Sequence, residues 1–451
     1  MPDLSHEREA LVVDIIKALR AHNHQAFLVG GCVRDRLWGI APKDFDVSTD
    51  ARPDEIRSLF PGSELVGAKF GVVLVRQSRN ICVEVATFRS EGNYKDGRHP
   101  EDVQFETDPA LDAQRRDFTI NGLFEDPLSG RIYDFVGGQG DLRNHVLRTV
   151  GAPERRFEED HLRLLRGVRF AARFQLSVED ETMRAMRRFA PKIIEISAER
   201  IRDELVRILT EGGARYGLEL LDRTGLLDLV LPELKACQGV AQPPEFHPEG
   251  DVWQHVLLML ETMGKPSRTL AWGVLLHDIG KPPTFRVADR IRFDGHAEVG
   301  TEMAIKRLML LKASNDDVER VSSLVANHMR FKDVPKMRIS TLKRFLRMPH
   351  FEEHLELHRL DCLASNGRTD VYEFVKSKLE EFRGEQLRPP RLLTGDDLIN
   401  AGYTPGPAFK RVIELTETAQ LEGDIETREQ ALGLARQVLS TDDQVVRNRQ
   451  A

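Results

Sequence analysis

The spacing of the apolar residues changes once along this chain, near Val150–Pro153, and that change limits its fold more than any other feature. Before it, short β-rich runs (Ala26–Val29, Gly71–Val75, Ile81–Phe88, Ile132–Phe135) alternate with turns and with helical stretches such as Pro53–Leu59. From Glu154 onward apolar residues recur at helical spacing, as in Leu162, Leu165, Val168 and Ala172, and they do so to the end. The pattern predicts an α+β fold in which a sheet-containing head is followed by an all-helical remainder. A chain of 451 residues exceeds what one core serves. Pro/Gly-rich stretches at 239–250 and 384–395 cut the helical part. The expected segments are therefore 1–150, 151–240, 241–383 and 384–451.

Composition excludes several classes. Hydrophobic residues at 41% and charged residues at 30% suit packed cores and not a disordered chain. No apolar run reaches the length of a membrane helix, and the first residues are polar, so neither a span nor a secretory signal is expected; the cytoplasm is the default location. The four cysteines lack CxxC spacing, so any metal must be held by histidines and carboxylates. The net charge is −7, so a polyanion would need a local patch. The small excess of Lys and Arg between Arg143 and Arg207 offers one, although a solvated helix face explains it equally well.

Three carboxylates draw attention in the head. Phe27–Asp35 reads as a strand running into Gly30-Gly31 and then a helix, which would bring backbone N–H groups and Arg34 to a phosphate. Taken alone, such a glycine pair is most often a turn. Asp44 and Asp46, two apart in a strand, would share a face, and two adjacent like charges favour a hard divalent cation such as Mg²⁺. Glu84 stands in the alternating run Val83–Thr87 among apolar neighbours, where an uncompensated charge is costly, and supplies a third carboxylate. Three carboxylates holding two ions can lower the pKa of an attacking hydroxyl and neutralise a leaving pyrophosphate.

Gly30-Gly31-Cys32-Val33-Arg34-Asp35, then Asp44-Phe45-Asp46, then Glu84 resembles the catalytic head of the DNA polymerase β-like nucleotidyltransferases. Further segments narrow the resemblance: Arg115–Asn121 is similar to an RRDxxxN motif, Asp134 with Gly137, Gly138 and Asp141 to a DxxGGxxD turn, and Glu159–Arg163 to an EDxxR motif. Together they resemble the bacterial-type (class II) CCA tRNA nucleotidyltransferases and bacterial poly(A) polymerases. The resemblance implies a mixed-sheet head with Asp44, Asp46 and Glu84 as the catalytic set around Mg²⁺, followed by a helical neck, body and tail. It implies that Asp160 and Arg163 read the incoming base. Gly31, Arg34, Arg116, Arg166 and Arg169 would hold the triphosphate, with Gly30, Asp117 and Asn121 in the same nucleotide site. It implies tRNA, CTP and ATP as partners, recognised without an RRM or KH module. The polar stretch Glu91–Pro100 reads as a loop. In this family a loop between the third carboxylate and RRDxxxN serves addition of the terminal A, so its presence counts against a CC-only enzyme.

Helical spacing makes Asp160 and Arg163 i,i+3 neighbours, with Arg166 and Arg169 continuing the ridge. A carboxylate beside a guanidinium offers acceptors and donors to a base edge, although most such pairs are ordinary surface ion pairs.

A second constellation lies downstream. His277-Asp278 follows the apolar run Leu270–Leu276, with His255 before it in an amphipathic stretch and His296, His328 and Asp361 after it. The order resembles the HD-domain phosphohydrolases. It implies one metal on His255, His277, Asp278 and Asp361, and a second aided by His296 and His328. Imidazole with carboxylate suits Mn²⁺, Ni²⁺, Co²⁺ or Fe²⁺ better than Mg²⁺. His350, His354 and His358 are expected to be surface or packing residues.

The leading expectation is template-independent addition of C and A to a tRNA 3′ end. A-only addition and poly(A) synthesis share the same head motifs. An HD phosphohydrolase with a nucleotide-binding head and a non-catalytic RNA-binding protein are the readings of other classes, and the intact carboxylate set argues against both.

Overall fold

The computed structural model describes residues 5–66, 71–78, 81–92, 103–382, 384 and 387–450. The expected loop at Glu91–Pro100 falls mostly on residues 93–102, outside the described residues.

After helix α1 (Ser5–Ala21), the head is built on strands β1 (Ala26–Val29), β2 (Asp46–Thr49), β3 (Glu64–Leu65), β4 (Val72–Ser78) and β5 (Ile81–Thr87). The antiparallel pair β6 (Arg89–Glu91) with β7 (Val103–Phe105) follows, then β8 (Leu123–Asp126) and β9 (Arg131–Asp134). Seven of these form one sheet in the order β3-β4-β5-β2-β1-β8-β9. Every neighbouring pair is antiparallel except β2 with β5, so the sheet is mixed, as expected. β1 is central and wholly buried, which is why Ala26–Val29 reads as a continuous apolar run and not as an alternation. Phe27, Phe88 and Phe124 pack edge and face against one another beneath it.

Helices α2 (Gly31–Leu37), α3 (Pro53–Leu59), α4 (Pro109–Gln114) and α5 (Gly138–Arg143) complete the head. Gly30, which caps α2, has φ +74°, and a Cβ there would lie 2.8 Å from Arg116 Nη1, so only glycine lets the strand turn directly into the helix.

A helical series follows: α6 (Pro153–Glu159), α7 (Arg163–Phe174), α8 (Asp180–Phe189), α9 (Ala198–Thr210), α10 (Ala214–Thr224), α11 (Leu227–Val230) and α12 (Pro232–Lys235). One correction concerns the EDxxR segment. α6 ends at Glu159, and Asp160 is extended (φ −149°, ψ 108°), so Asp160 and Arg163 sit on either side of a helix break and not on one helix. The Arg163, Arg166, Arg169 ridge does lie on α7.

The described residues cluster into two compact units. The first is Met1–Ala236 with Met263–Ala271 and Lys306–Ser314; the second is Cys237–Thr262, Trp272–Ile305 and Asn315–Ala451. The helices from this point are α13 (Val252–Thr262), α14 (Arg268–Leu276), α15 (Lys281–Thr284), α16 (His296–Leu310), α17 (Asn315–Asn327), α18 (Ile339–Leu346) and α19 (Phe351–Ala364). The chain closes with α20 (Asp370–Glu381), α21 (Gly395–Asn400), α22 (Pro407–Glu422) and α23 (Arg428–Gln450). Thr394 and Asp397 form a capping box at the start of α21. No described helix is long and apolar enough to cross a membrane.

Candidate functional site

In the head, Asp46 and Glu84 are direct partners in the parallel β2–β5 ladder, which sets their side chains on one face of the sheet. The alternation of β5 buries Val83 and Val85 and leaves Glu84 exposed, so its carboxylate faces the open side and not the apolar surroundings its neighbours suggested. Asp44 departs from the sequence expectation. β2 begins only at Asp46, and the Asp44 side chain is 88% exposed and lies 3.6 Å from Arg8 Nη1 of α1. Partial desolvation, then Glu84 and Asp44, push the Asp46 carboxyl up to about 6 against the pull of Arg116. Such crowding of negative charge is what a divalent cation relieves.

Asp44 and Asp46 open onto a cleft of about 630 Å³, and all ten residues expected to bind nucleotide line it: Gly30, Gly31, Arg34, Arg116, Asp117, Asn121, Asp160, Arg163, Arg166 and Arg169. Ten basic and six acidic side chains line the cleft, a local cationic surface in an acidic chain.

The arginines are held in place by carboxylates. Arg34 donates to Asp35 through Nε (2.8 Å) and Nη2 (2.6 Å) and to the Asn121 amide oxygen, and it lies 4.5 Å over the Phe174 ring. At 4% exposure its donors are turned to protein, so it acts first as a strut between α2 and α7. Asp35 takes Arg173 of α7 on its other oxygen at 3.0 Å. Burial alone would raise the Asp117 carboxyl, but Arg166 (2.6 Å), the Asn121 amide and Arg163 hold it far below the usual range. Burial pushes the Arg169 guanidinium down to about 10, although Glu204 lies 3.1 Å away.

Asp160 accepts the Leu162 backbone N–H (3.0 Å) on one oxygen and Arg200 of α9 (2.9 Å) on the other. Arg163 pairs with Glu159 at 2.6 Å and also donates to the Arg156 carbonyl. Asp160 and Arg163 therefore reach the same cleft with separate supports. Sequence reading missed Lys43, Arg173, Arg200 and Arg207, which also line it. Arg173 continues the α7 ridge one turn beyond Arg169 and was findable by spacing; Arg200 and Arg207 carry no local signal.

The second site lies in the other unit, where the six expected residues come together. Donor atoms of His255, His277 and Asp361 lie within 4.8 Å of one another, as do those of Asp278, His296 and His328. His277, His296 and His328 each place Nδ1 against a backbone carbonyl, of Val274 (2.9 Å), Phe293 (2.8 Å) and Val325 (2.6 Å). A carbonyl only accepts, so Nδ1 keeps its proton and in the neutral imidazole Nε2 carries the lone pair. Nε2 of His296 and Nε2 of His328 then face each other at 3.2 Å, both 3.7 Å from Asp278 Oδ1, while Nε2 of His277 is buried 3.2 Å from Asp278 Oδ2. Opposed lone pairs around a buried carboxylate fit a divalent cation.

The imidazoles and carboxylates of this region shift one another strongly. Burial pushes His328 down to about 4 and lowers His296. Against its own burial, Asp278 is held well below the carboxylate range by His277, Lys281 and His328. His255 is raised to about 9, against burial, by Asp361 and Glu249. Gly280 permits the packing that carries His296: a Cβ there would lie 2.0 Å from the His296 carbonyl oxygen. Lys281, 2.6 Å from Asp278 and 2.7 Å from Gln242, and His247 with Glu249 are members of this region that sequence reading missed. Among the other histidines, His354 is buried and His358 stacks on Phe331 at 4.3 Å, both in packing roles.

Comparison with known proteins supplies the context. Residues 26–148 match the poly A polymerase head domain, 175–238 a probable RNA- and SrmB-binding site of polymerase A, and 251–390 the HD domain. The chain is similar to a CCA-adding enzyme of Geobacillus sp. (strain WCH70), 29% identical over 93% of this chain and 94% of that one. It is 37% identical to the CCA-adding enzyme of Geobacillus thermodenitrificans over 59% of this chain and 62% of that one. A crystal structure of the Bacillus stearothermophilus CCA-adding enzyme in complex with CTP superposes with a TM-score of 0.71 at 25% identity, covering 97% of this chain and 98% of that one. Both the head and HD domain types work with divalent metal ions. The chain thus carries a poly A polymerase head, an RNA-binding segment and an HD domain in this order, and over nearly its whole length it is similar to CCA-adding enzymes.

Proposed function

We propose that this protein is a CCA-adding tRNA nucleotidyltransferase, transferring CMP and AMP from CTP and ATP to a tRNA 3′ end without a nucleic-acid template. The observation that carries this reading is the convergence of the base-reading pair Asp160 and Arg163, the arginine ridge of α7 and the Asp44/Asp46 edge on one cationic cleft. The tRNA and nucleotide partners are supported by relatives whose structures are described as complexes with CTP, ATP and tRNA.

Asp46 and Glu84, with Asp44 swung in from Arg8, would hold Mg²⁺, which when bound activates the primer hydroxyl and neutralises the leaving pyrophosphate. The chain's own residues do the rest. Gly30 and Gly31 give the phosphates close access to backbone N–H groups at the start of α2. Arg116, Arg166 and Arg169 present positive charge along one wall. Asp160, both of whose oxygens are anchored, and Arg163, tied to Glu159, meet the base edge with fixed acceptors and donors, so protein replaces template. The work divides as head 1–150, neck and body 151–240 for nucleotide selection and RNA, HD domain 241–383 and tail 384–451.

The HD centre supports a second activity, hydrolysis of phosphomonoesters or cyclic phosphodiesters, because its histidines leave Nε2 lone pairs for a transition metal such as Mn²⁺, Ni²⁺, Co²⁺ or Fe²⁺. The test of the main reading uses the purified protein with tRNA lacking CCA, tRNA ending in CC and a generic oligoribonucleotide, each with CTP, ATP or both. CCA addition requires both nucleotides on the first substrate, ATP alone on the second and no tailing of the third. Tailing of the oligoribonucleotide with ATP would instead identify a poly(A) polymerase.

A further inference from the structure

Glu249 is a buried carboxylate that neither reaction reading uses. Its side chain is 5% exposed, and it lies in the loop before α13, six residues ahead of His255. The loop is pinned to the helix by Asp251, which accepts the N–H of Gln254 at 2.8 Å and of Gly239 at 2.6 Å. Gly250, with φ +120°, makes the turn that tucks Glu249 inward.

One oxygen of Glu249 faces two imidazoles: Nδ1 of His255 at 2.7 Å and Nδ1 of His247 at 2.9 Å. Its other oxygen is buried without a hydrogen-bond partner. A buried carboxylate is costly unless it is hydrogen-bonded, and Glu249 meets that need through the two imidazole N–H groups it accepts from. The opposite nitrogen of His255, Nε2, lies 3.2 Å from Asp361 within the His255, His277, Asp361 donor group. The other three histidines of the centre fix their tautomer with neutral backbone carbonyls, so His255 differs in being fixed by a carboxylate.

From this geometry we infer that Glu249 is the positioning residue of the HD metal centre. It holds the His255 proton on Nδ1, directs the Nε2 lone pair at the cation and makes that imidazole a stronger donor by placing negative charge behind it. His247, bound to the same oxygen, lines the cavity that contains Asp278, Lys281 and Asp361, so one carboxylate orients both a ligand and a cleft-lining imidazole.

This inference rests on the reading of the HD residues as a metal centre, and the test separates the two. Wild-type protein, Glu249→Gln, Glu249→Ala and, as reference, His255→Ala are titrated with Ni²⁺ by calorimetry, because imidazole-rich sites favour Ni²⁺ over oxygen-only ones. Melting temperatures are recorded with and without Ni²⁺. Glu249→Ala is expected to weaken Ni²⁺ binding about 10- to 100-fold. Glu249→Gln, whose amide oxygen still accepts from Nδ1, is expected to lie between it and wild type, and in both variants the Ni²⁺-induced rise in melting temperature should shrink more than the metal-free value falls. Ni²⁺ affinity in Glu249→Gln and Glu249→Ala within about twofold of wild type, with His255→Ala impaired, overturns the role of Glu249 alone. Should Glu249→Ala fail to fold, the isosteric Gln variant decides by the same criterion. Wild-type protein that binds no Ni²⁺ overturns the metal-centre reading itself, and the inference with it.

Discussion

Asp46 and Glu84 face each other across the single parallel strand pair of the head sheet, in register, although thirty-eight residues separate them in sequence. Paired residues of a parallel ladder project to the same face, so this register alone brings together two of the three carboxylates proposed to hold Mg²⁺. The third, Asp44, lies beyond the strand and pairs with Arg8.

Removing either in-register carboxylate should abolish nucleotide addition. Asp46→Asn and Glu84→Gln are expected to lower the rate at least about a hundredfold, because charge stabilisation at the reacting phosphate is lost. tRNA affinity, measured by filter binding, should stay within a few-fold, since the basic cleft walls remain. Retention of more than about a tenth of the rate by either variant would sink the assignment.

Nucleotide selection should fail before catalysis does when Arg163 is removed. Arg163→Ala takes away donors at the cleft and leaves Asp46 and Glu84 untouched. GTP and UTP incorporation relative to CTP and ATP is expected to rise about tenfold, the effect of one lost base-edge contact. Unchanged misincorporation would make Arg163 only the partner of Glu159.

The HD ligands should be separable from nucleotide addition. Asp278→Ala is expected to remove transition-metal binding and any phosphoester hydrolysis while Mg²⁺-dependent addition continues, since the two sites share no ligand. Loss of addition in a variant that keeps its circular dichroism spectrum would assign the HD segment a part in placing the tRNA.

Acid should weaken the second unit through His354. This imidazole is buried against Ser323 (3.2 Å), and burial pushes it down to about 4. The unfolded chain takes up a proton near pH 6.5 while the folded one stays neutral, so stability is complete above that value and falls as pH drops toward 4. Between pH 7 and pH 5 the wild type should lose about 2 kcal/mol more than His354→Leu in urea unfolding. Equal losses would mean that His354 is protonated in the fold as readily as outside it.

Local spacing carried much of this protein. The change in apolar period separated sheet from helix, and the runs Ala26–Val29 and Pro53–Leu59 became β1 and α3 with the same bounds. The motif residues expected to bind nucleotide line one cleft, and the six HD residues fall into two three-residue donor groups. Short-range patterns can do this because a strand or helix face is set by residues two to four apart. Only the tertiary structure decided the rest. Helical spacing joined Asp160 to Arg163, but the backbone extends at Asp160, whose carboxylate meets Arg200 from α9. The carboxylate spacing at Asp44 and Asp46 implied a shared strand face, yet the in-register partner of Asp46 is Glu84. Nothing in sequence announced Glu249 behind His255. Which strands pair and which oxygen meets which nitrogen depend on contacts between distant segments, and these form only when the chain packs around its cores.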